Sequence, residues 1–229
     1  MVSDKFLQNC LKLISFNKQK CKDYRNYLNS QKIDLKKIKK IEDLPFLHIN
    51  QFKKKKLFSI PKNEIFKIIQ SSGTTGSKIS KIYIDKKSAS KQQKILNTSM
   101  QPITQGKRKP MIIFEPRISN HLNENSFNAS KAAVIGFSVF GKDYLYPRKF
   151  DNQLNYNKLN LFLKRYQNLE IIIFGFTANI YEYLIKKLDK KKLDYDLSNS
   201  IIIHGGGWKK LSYLNISKKK FEKLIYDKY

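Results

Sequence analysis

Three short segments that hold consecutive apolar residues, Pro110–Phe114, Glu170–Phe174 (apolar over 171–174) and Ser200–His204 (apolar over 201–203), constrain this fold more than anything else in the chain. A strand sends alternate side chains to opposite faces, so an unbroken apolar run needs cover on both sides. The segments between these runs have helical spacing. Residues 129–137 are small and apolar, residues 155–168 carry Leu159, Phe162, Leu163 and Tyr166 on one face, and residues 180–188 and 218–229 follow the same period. Buried strands alternating with amphipathic helices imply an α/β fold, a largely parallel β-sheet flanked by helices. The 229 residues suffice for one domain over 1–229, with a helical N-terminal segment over 1–60 and an α/β part over 61–229.

The first segment predicts one helix over residues 4–29, with Phe6, Cys10, Leu13 and Ile14 on its inner face and Ser3 as N-cap. Farther on, Asp85 is placed to cap a helix that runs to about Met100 and stops at Pro102. Strand-like segments at 65–70 and 80–85 enclose a polar loop.

Charge narrows the function. The net charge is +28, yet only Arg25, Arg108, Arg117, Arg148 and Arg165 are arginines among 46 basic residues. Lysine is scattered rather than gathered beside stacking aromatics, so no dedicated nucleic-acid binding is expected, while anionic ligands are favoured at long range. Cys10 and Cys21 fit neither a disulfide framework nor a zinc pattern, and both read as buried helix positions. His48, His121 and His204 are too dispersed to suggest a metal site. Neither a signal peptide nor an apolar run of membrane-spanning length is present, and the expectation is a soluble, cytoplasmic protein with no membrane span.

The loop Ser71, Ser72, Gly73, Thr74, Thr75, Gly76 offers four hydroxyls and two glycines, the means to hold a polyphosphate. It lacks the spacing of a Walker A loop, and Lys78 or Lys81 would supply its positive charge. Two further loops follow apolar strands, Gly175–Thr177 and Gly205–Trp208. Ligands of open α/β sheets bind beyond the carboxyl ends of strands, so all three loops are expected at equivalent strand ends around one ligand.

Taken in order, these elements resemble the LuxE-type acyl-protein synthetase family, a branch of the adenylate-forming (ANL-like) enzymes. The resemblance rests on Leu44–Pro45 with Phe52–Lys53, Ser71–Gly76, Ile82 to Asp85 with Ser88, Ala89, Gln92 and Gln93, Phe174–Thr177, and His204–Leu211. It implies the N-terminal portion of an ANL-like large domain. The implied chemistry is ATP-dependent activation of a long-chain fatty or other carboxylic acid as acyl-adenylate, then transfer to a protein thiol, with an acyl-accepting reductase as possible partner. ATP and Mg2+ are the implied cofactors.

By matching positions, Ser71–Gly76 and Lys78 would hold the phosphates of ATP. His204, Gly205, Gly206, Gly207 and Trp208 would border the adenine or acyl-adenylate, and Phe174, Phe176 and Thr177 would line an acyl pocket. His204 and Trp208 read equally well as structural residues. No catalytic residue and no metal ligand is nominated. The resemblance also leads one to expect a C-terminally incomplete chain, since the family's later acidic and cysteine segments find no match here. Three alternatives stay open: a phenylacetate–CoA-ligase-like enzyme, an adenylating enzyme of surface-polysaccharide assembly, and a non-catalytic nucleotide-binding relic.

Overall fold

In the computed structural model the described residues are 2–71, 79–117, 128–149 and 151–229. They fall into two compact units, Met1–Gln93 with Glu124–Ala129, and Lys94–Asn123 with Ser130–Tyr229.

The first unit begins with two helices where the sequence predicts one: α1 (Val2–Lys20) and α2 (Lys22–Ser30). The break is at Cys21, whose backbone is extended at φ −109° and ψ 107°. Ser3 therefore lies inside α1 instead of capping it. The inner stripe is also one residue round the helix from the expected one. Leu7, Cys21 and Leu28 are buried, whereas Phe6 and Leu13 are 53% and 62% exposed, and Cys10 is only half-buried. After the short α3 (Gln51–Lys54), strands β1 (Lys67–Gln70) and β2 (Lys81–Ile84) pair antiparallel, with Gln70 opposite Lys81.

Helix α4 (Lys86–Thr104) opens as expected, with Asp85 Oδ1 accepting from the Ser88 N–H at 2.7 Å. Hydrogen bonds from Ser88 hold the Asp85 carboxyl below the usual carboxylate range. Pro102 does not stop the helix. A proline this close to the end disturbs only the last turn. The Thr104 hydroxyl donates to the Met100 carbonyl at 3.0 Å, and termination falls to left-handed Gln105 and Gly106, at φ 53° and 69°.

The second unit is a four-stranded sheet in the order β4–β3–β5–β6, parallel throughout, formed by β3 (Lys109–Ile113), β4 (Gly141–Leu145), β5 (Ile171–Phe176) and β6 (Ser200–Gly205). Strand β4 escapes the sequence reading because it is an edge strand, where exposed Lys142 and half-buried Asp143 are tolerated. Between the strands lie α5 (Ala129–Ser138) and α6 (Tyr156–Arg165), and α8 (Lys218–Tyr226) follows β6. After β5 a single turn, α7 (Thr177–Asn179), runs into a π-helix over Ile180–Lys187.

Both faces of the sheet are covered. Ile112, Phe114, Ile171 and Ile173 pack with Leu159, Phe162 and Leu163 of α6, Ile180 and Leu184 of the π-helix, and Phe221 of α8. Met111, Ile113, Ile172 and Phe174 pack on the other face with Met100 of α4 and Val134 of α5. The wide turns of the π-helix end on Lys228 and Tyr229. Lys228 Nζ donates to the carbonyls of Ile185 and Leu188, and the Tyr229 hydroxyl donates to that of Leu184 at 2.8 Å. Burial lowers the Lys228 ammonium pKa and raises that of the Tyr229 phenol. No helix of the described residues is long and apolar enough to cross a membrane.

Helix α6 tests the register of this packing. Leu163 is 1% exposed and Leu161 is 69% exposed. Leu163→Ala is expected to cost about 3 kcal/mol in urea unfolding, from lost burial plus a cavity. Leu161→Ala should stay within about 0.5 kcal/mol of the parent.

Candidate functional site at the carboxyl edge of the parallel sheet

The strand order fixes where a ligand can enter. From β3 the chain passes to β4 on one side, and from β5 it passes to β6 on the other. The sheet therefore has its topological switch point between β3 and β5, and the crevice beyond their carboxyl ends is where such sheets take ligands. Glu115 follows β3 there, Thr177–Asn179 follow β5, and Gly206–Trp208 follow β6. Adjacent register, Gly175 beside His204 and Phe176 beside Gly205, brings the last two loops together.

Thr177 ties them. It is buried, and its hydroxyl lies 3.1 Å from the Gly205 carbonyl, 3.0 Å from the Gly206 carbonyl and 3.1 Å from His204 Nδ1. The single hydroxyl proton goes to the carbonyls, so the hydroxyl oxygen accepts from Nδ1–H. This network assigns the proton to Nδ1. The imidazole meets Phe221 edge-on at 4.8 Å, and burial draws its pKa below the ordinary histidine range. His204 is thus a neutral strut between β5 and β6. Trp208 lies half-buried in the same aromatic cluster, edge-on to Tyr181 at 5.3 Å and to Phe221 at 5.4 Å.

Above this cluster Gly205, Gly206 and Gly207 form an exposed backbone shelf. Its three glycines differ in kind. Gly206 has φ +76°, and a Cβ there would lie 2.5 Å from the Phe176 ring, so both conformation and space require glycine. A Cβ at Gly205 or Gly207 would meet nothing within 4 Å. Bare backbone facing open space suits a flat group laid against it.

Glu115, absent from the sequence reading, sits at the switch point and is 3% exposed. Its Oε1 accepts from the Phe176 N–H at 2.8 Å and from Asn179 Nδ2 at 2.7 Å, and its Oε2 accepts from the Ser130 hydroxyl at 3.1 Å. A signal for it existed: an acidic residue directly after a buried apolar run, where the carboxyl end of a strand meets the ligand crevice.

The remaining nominated residues are placed as follows. Phe174 is a core side chain, stacked on Phe137 at 4.8 Å, and Phe176 is half-buried at the strand mouth. Ser71 is exposed, and its hydroxyl accepts from the Ser80 N–H at 3.1 Å. Ser72, Gly73, Thr74, Thr75, Gly76 and Lys78 lie outside the described residues. The expectation of three loops at equivalent strand ends needs correction. Ser71 leaves β1 of the antiparallel pair in the first unit, so only the loops after β5 and β6 share a parallel edge. The physical reason is that β1 and β2, half exposed, pair with each other as a hairpin.

Two open clefts of about 500 and 490 Å3 lie beyond β4, walled by Lys149, Asn152, Tyr156, Lys187 and Lys158 among others, and Arg148 on the wall of the second donates to the Phe114 carbonyl at the end of β3. None of the nominated residues lines them. Concavity alone would favour these clefts, but their walls carry several lysines, whereas the residues after β3, β5 and β6 are joined by hydrogen bonds along the carboxyl edge of the sheet. Among the described residues no group of three or more His, Cys, Asp and Glu side chains is placed to hold a metal ion.

The fold and this edge define the class: an α/β protein with an open parallel sheet and a glycine shelf at its ligand end. The sequence profile of the family described as acyl-protein synthetase, LuxE, matches residues 3–229, and the chain belongs to that family. No curated protein matches it.

The shelf can be tested without any ligand. Gly206→Ala should lower stability by about 2 kcal/mol or more, adding left-handed strain to the contact with Phe176, whereas Gly205→Ala and Gly207→Ala should melt near the parent temperature. His204 gives a pH test. Its folded pKa is depressed, so its contribution is complete above the unfolded value of about 6.5 and is lost as pH falls toward the folded value. The melting temperature should therefore drop on acidification below about pH 6.5 more steeply in the parent than in His204→Gln.

Proposed function

We propose that this member of the acyl-protein synthetase family activates a long-chain fatty acid with ATP as an acyl-adenylate and passes the acyl group to a protein thiol. The observation that carries the reading is the Gly205–Gly207 shelf, held open at the carboxyl ends of β5 and β6 beside a fixed, neutral His204. ATP when bound supplies the adenylyl group: a carboxylate oxygen bonds to the α-phosphorus, pyrophosphate leaves, and a thiolate later displaces AMP from the acyl carbon.

The chain's own part is positioning. Open space over Gly205 and Gly207 fits the purine face, and Trp208 backs the shelf from the core side. Phe176, at the mouth of β5, lies where a Gly206 side chain would fall and offers an aromatic surface for an acyl chain. For the phosphates the reading relies on Ser71–Gly76 and Lys78, by composition alone. Adenylyl transfer asks mainly for alignment and for donors aimed at developing charge, work suited to backbone and hydroxyl groups.

Mg2+ belongs to the reading but has no assigned ligand. Glu115 is the sole buried charged residue among those described, and both its oxygens are engaged. No step is drawn through the metal. The acyl acceptor, a reductase or another thiol protein, and the length of the acid belong to the same proposal.

Trp208 is the chain's only tryptophan, so its emission reports on the shelf directly. Titration with a non-hydrolysable tetradecanoyl-adenylate mimic should change that emission and saturate at least about 100-fold below ATP, because a mimic of the bound intermediate gathers both sets of contacts. An unchanged Trp208 signal and no heat of binding with either ligand would overturn the reading. Acid-dependent exchange of labelled pyrophosphate into ATP then separates activation from mere binding. Tight mimic binding without exchange would reduce the chain to a nucleotide-binding module.

A further inference from the structure

Glu115 lies where two demands meet. The last ladder bond between β3 and β5 runs from the Phe114 N–H to the Phe174 carbonyl, at 2.8 Å. Two residues on, the Phe176 N–H needs an acceptor at a point where β3 has ended. A buried donor left unpaired is costly, and the Glu115 carboxylate takes this one. The same oxygen receives Asn179 Nδ2 from the first turn after β5, and the other receives Ser130 from α5. One acceptor-only group thus pins β3, β5, α5 and α7 through three neutral donors.

The consequence reaches the shelf through Phe176. Its N–H is fixed by Glu115, and its ring occupies the space where a Cβ of Gly206 would fall. From the next residue, the Thr177 hydroxyl reaches the Gly205 and Gly206 carbonyls. Position therefore passes from Glu115 to Phe176 and from there to the glycine backbone.

We propose that Glu115 is a positioning residue of the acyl-adenylate site, setting the height and tilt of the Gly205–Gly207 shelf through Phe176. It does not touch the ligand. The acyl-adenylate part of this statement rests on the function proposed above, whereas the coupling of Glu115 to the shelf stands on the geometry alone.

The test uses the full 229-residue chain with two readouts, amide NMR signals and affinity for the tetradecanoyl-adenylate mimic. Glu115→Ala should move the amide signals of Phe176, Gly205, Gly206 and Gly207, and weaken mimic binding about tenfold or more, as misplacement of a positioning element does. Glu115→Gln keeps an oxygen for Phe176 and Asn179 while Ser130 turns to accept, and should hold affinity within about threefold. Glu170→Gln, altering the partner of Lys109 near the opposite edge of the sheet, is the control and should leave the shelf signals in place.

Shelf signals that stay put in Glu115→Ala would overturn the proposal, as would a mimic affinity within about threefold of the parent's in that variant. If Glu115→Ala does not fold, Glu115→Asp keeps the charge, shortens the reach by one methylene and is held to the same expected shifts and loss. A parent chain that fails to bind the mimic overturns the proposed function, and the amide signals then decide the Glu115 coupling separately.

Discussion

Strand β5 is the member on which the second unit depends. Ile171, Ile172, Ile173 and Phe174 are each no more than 4% exposed, so this backbone has no water to fall back on. Its peptide groups must be paired on both edges, and β3 and β6 supply the partners in parallel register. That requirement does not vanish where the ladder stops. At the carboxyl end Phe176 still has an N–H to place, and Gly205 and Gly206 still have carbonyls to satisfy. Glu115 and Thr177 meet these needs with side chains. The candidate site is, in this sense, the way the sheet finishes its hydrogen bonds.

Such a finish divides rigidity from access. Everything beneath the shelf is specified: Thr177 and His204 by hydrogen bonds, Trp208 and Phe221 by edge-on packing, Gly206 by backbone sign and by the Phe176 ring. At Gly205 and Gly207 no described atom stands within 4 Å of where a Cβ would lie, which leaves that backbone open. The floor is stiff and the opening is bare, so binding need not pay twice for ordering the protein.

Much of this was legible in the sequence, for identifiable reasons. The three buried strands were visible because burial on both faces leaves unbroken runs such as Ile171–Phe174. Gly206 and Thr177 were found because a glycine cluster and a hydroxyl after apolar strands are unusual neighbours. Strand β4 was hidden because an edge strand need not be apolar throughout, and its Gly141, Lys142 and Asp143 resemble a turn. The helix break at Cys21 was hidden because no proline or glycine marks it, and the shifted inner stripe because local periodicity does not say which of two adjacent residues, Phe6 or Leu7, packing will bury. Glu115 was passed over for a related reason. In a strand's flank a single acid looks like surface, and only the pairing of β3 with β5 shows that it faces donors instead of water.

The same contrast bears on the chain's charge. Forty-six basic side chains against 18 acidic ones create a broad positive field, but at physiological salt it is screened beyond about 8 Å, and lysines spread over the whole surface draw any anion alike. The lysine-walled clefts beyond β4 share that lack of choice. The shelf is built differently. Its floor is a neutral imidazole, within reach of Glu222 and Lys218, together with a hydroxyl and an aromatic ring, and the nearby Glu115 carboxylate is enclosed by three donors. Attraction and discrimination are therefore assigned to separate parts of the molecule. The lysine field can speed the approach of any anionic ligand, an effect that salt removes. On the function proposed above, selection among those anions comes from shape and hydrogen-bond geometry at the end of β5 and β6, which salt barely touches.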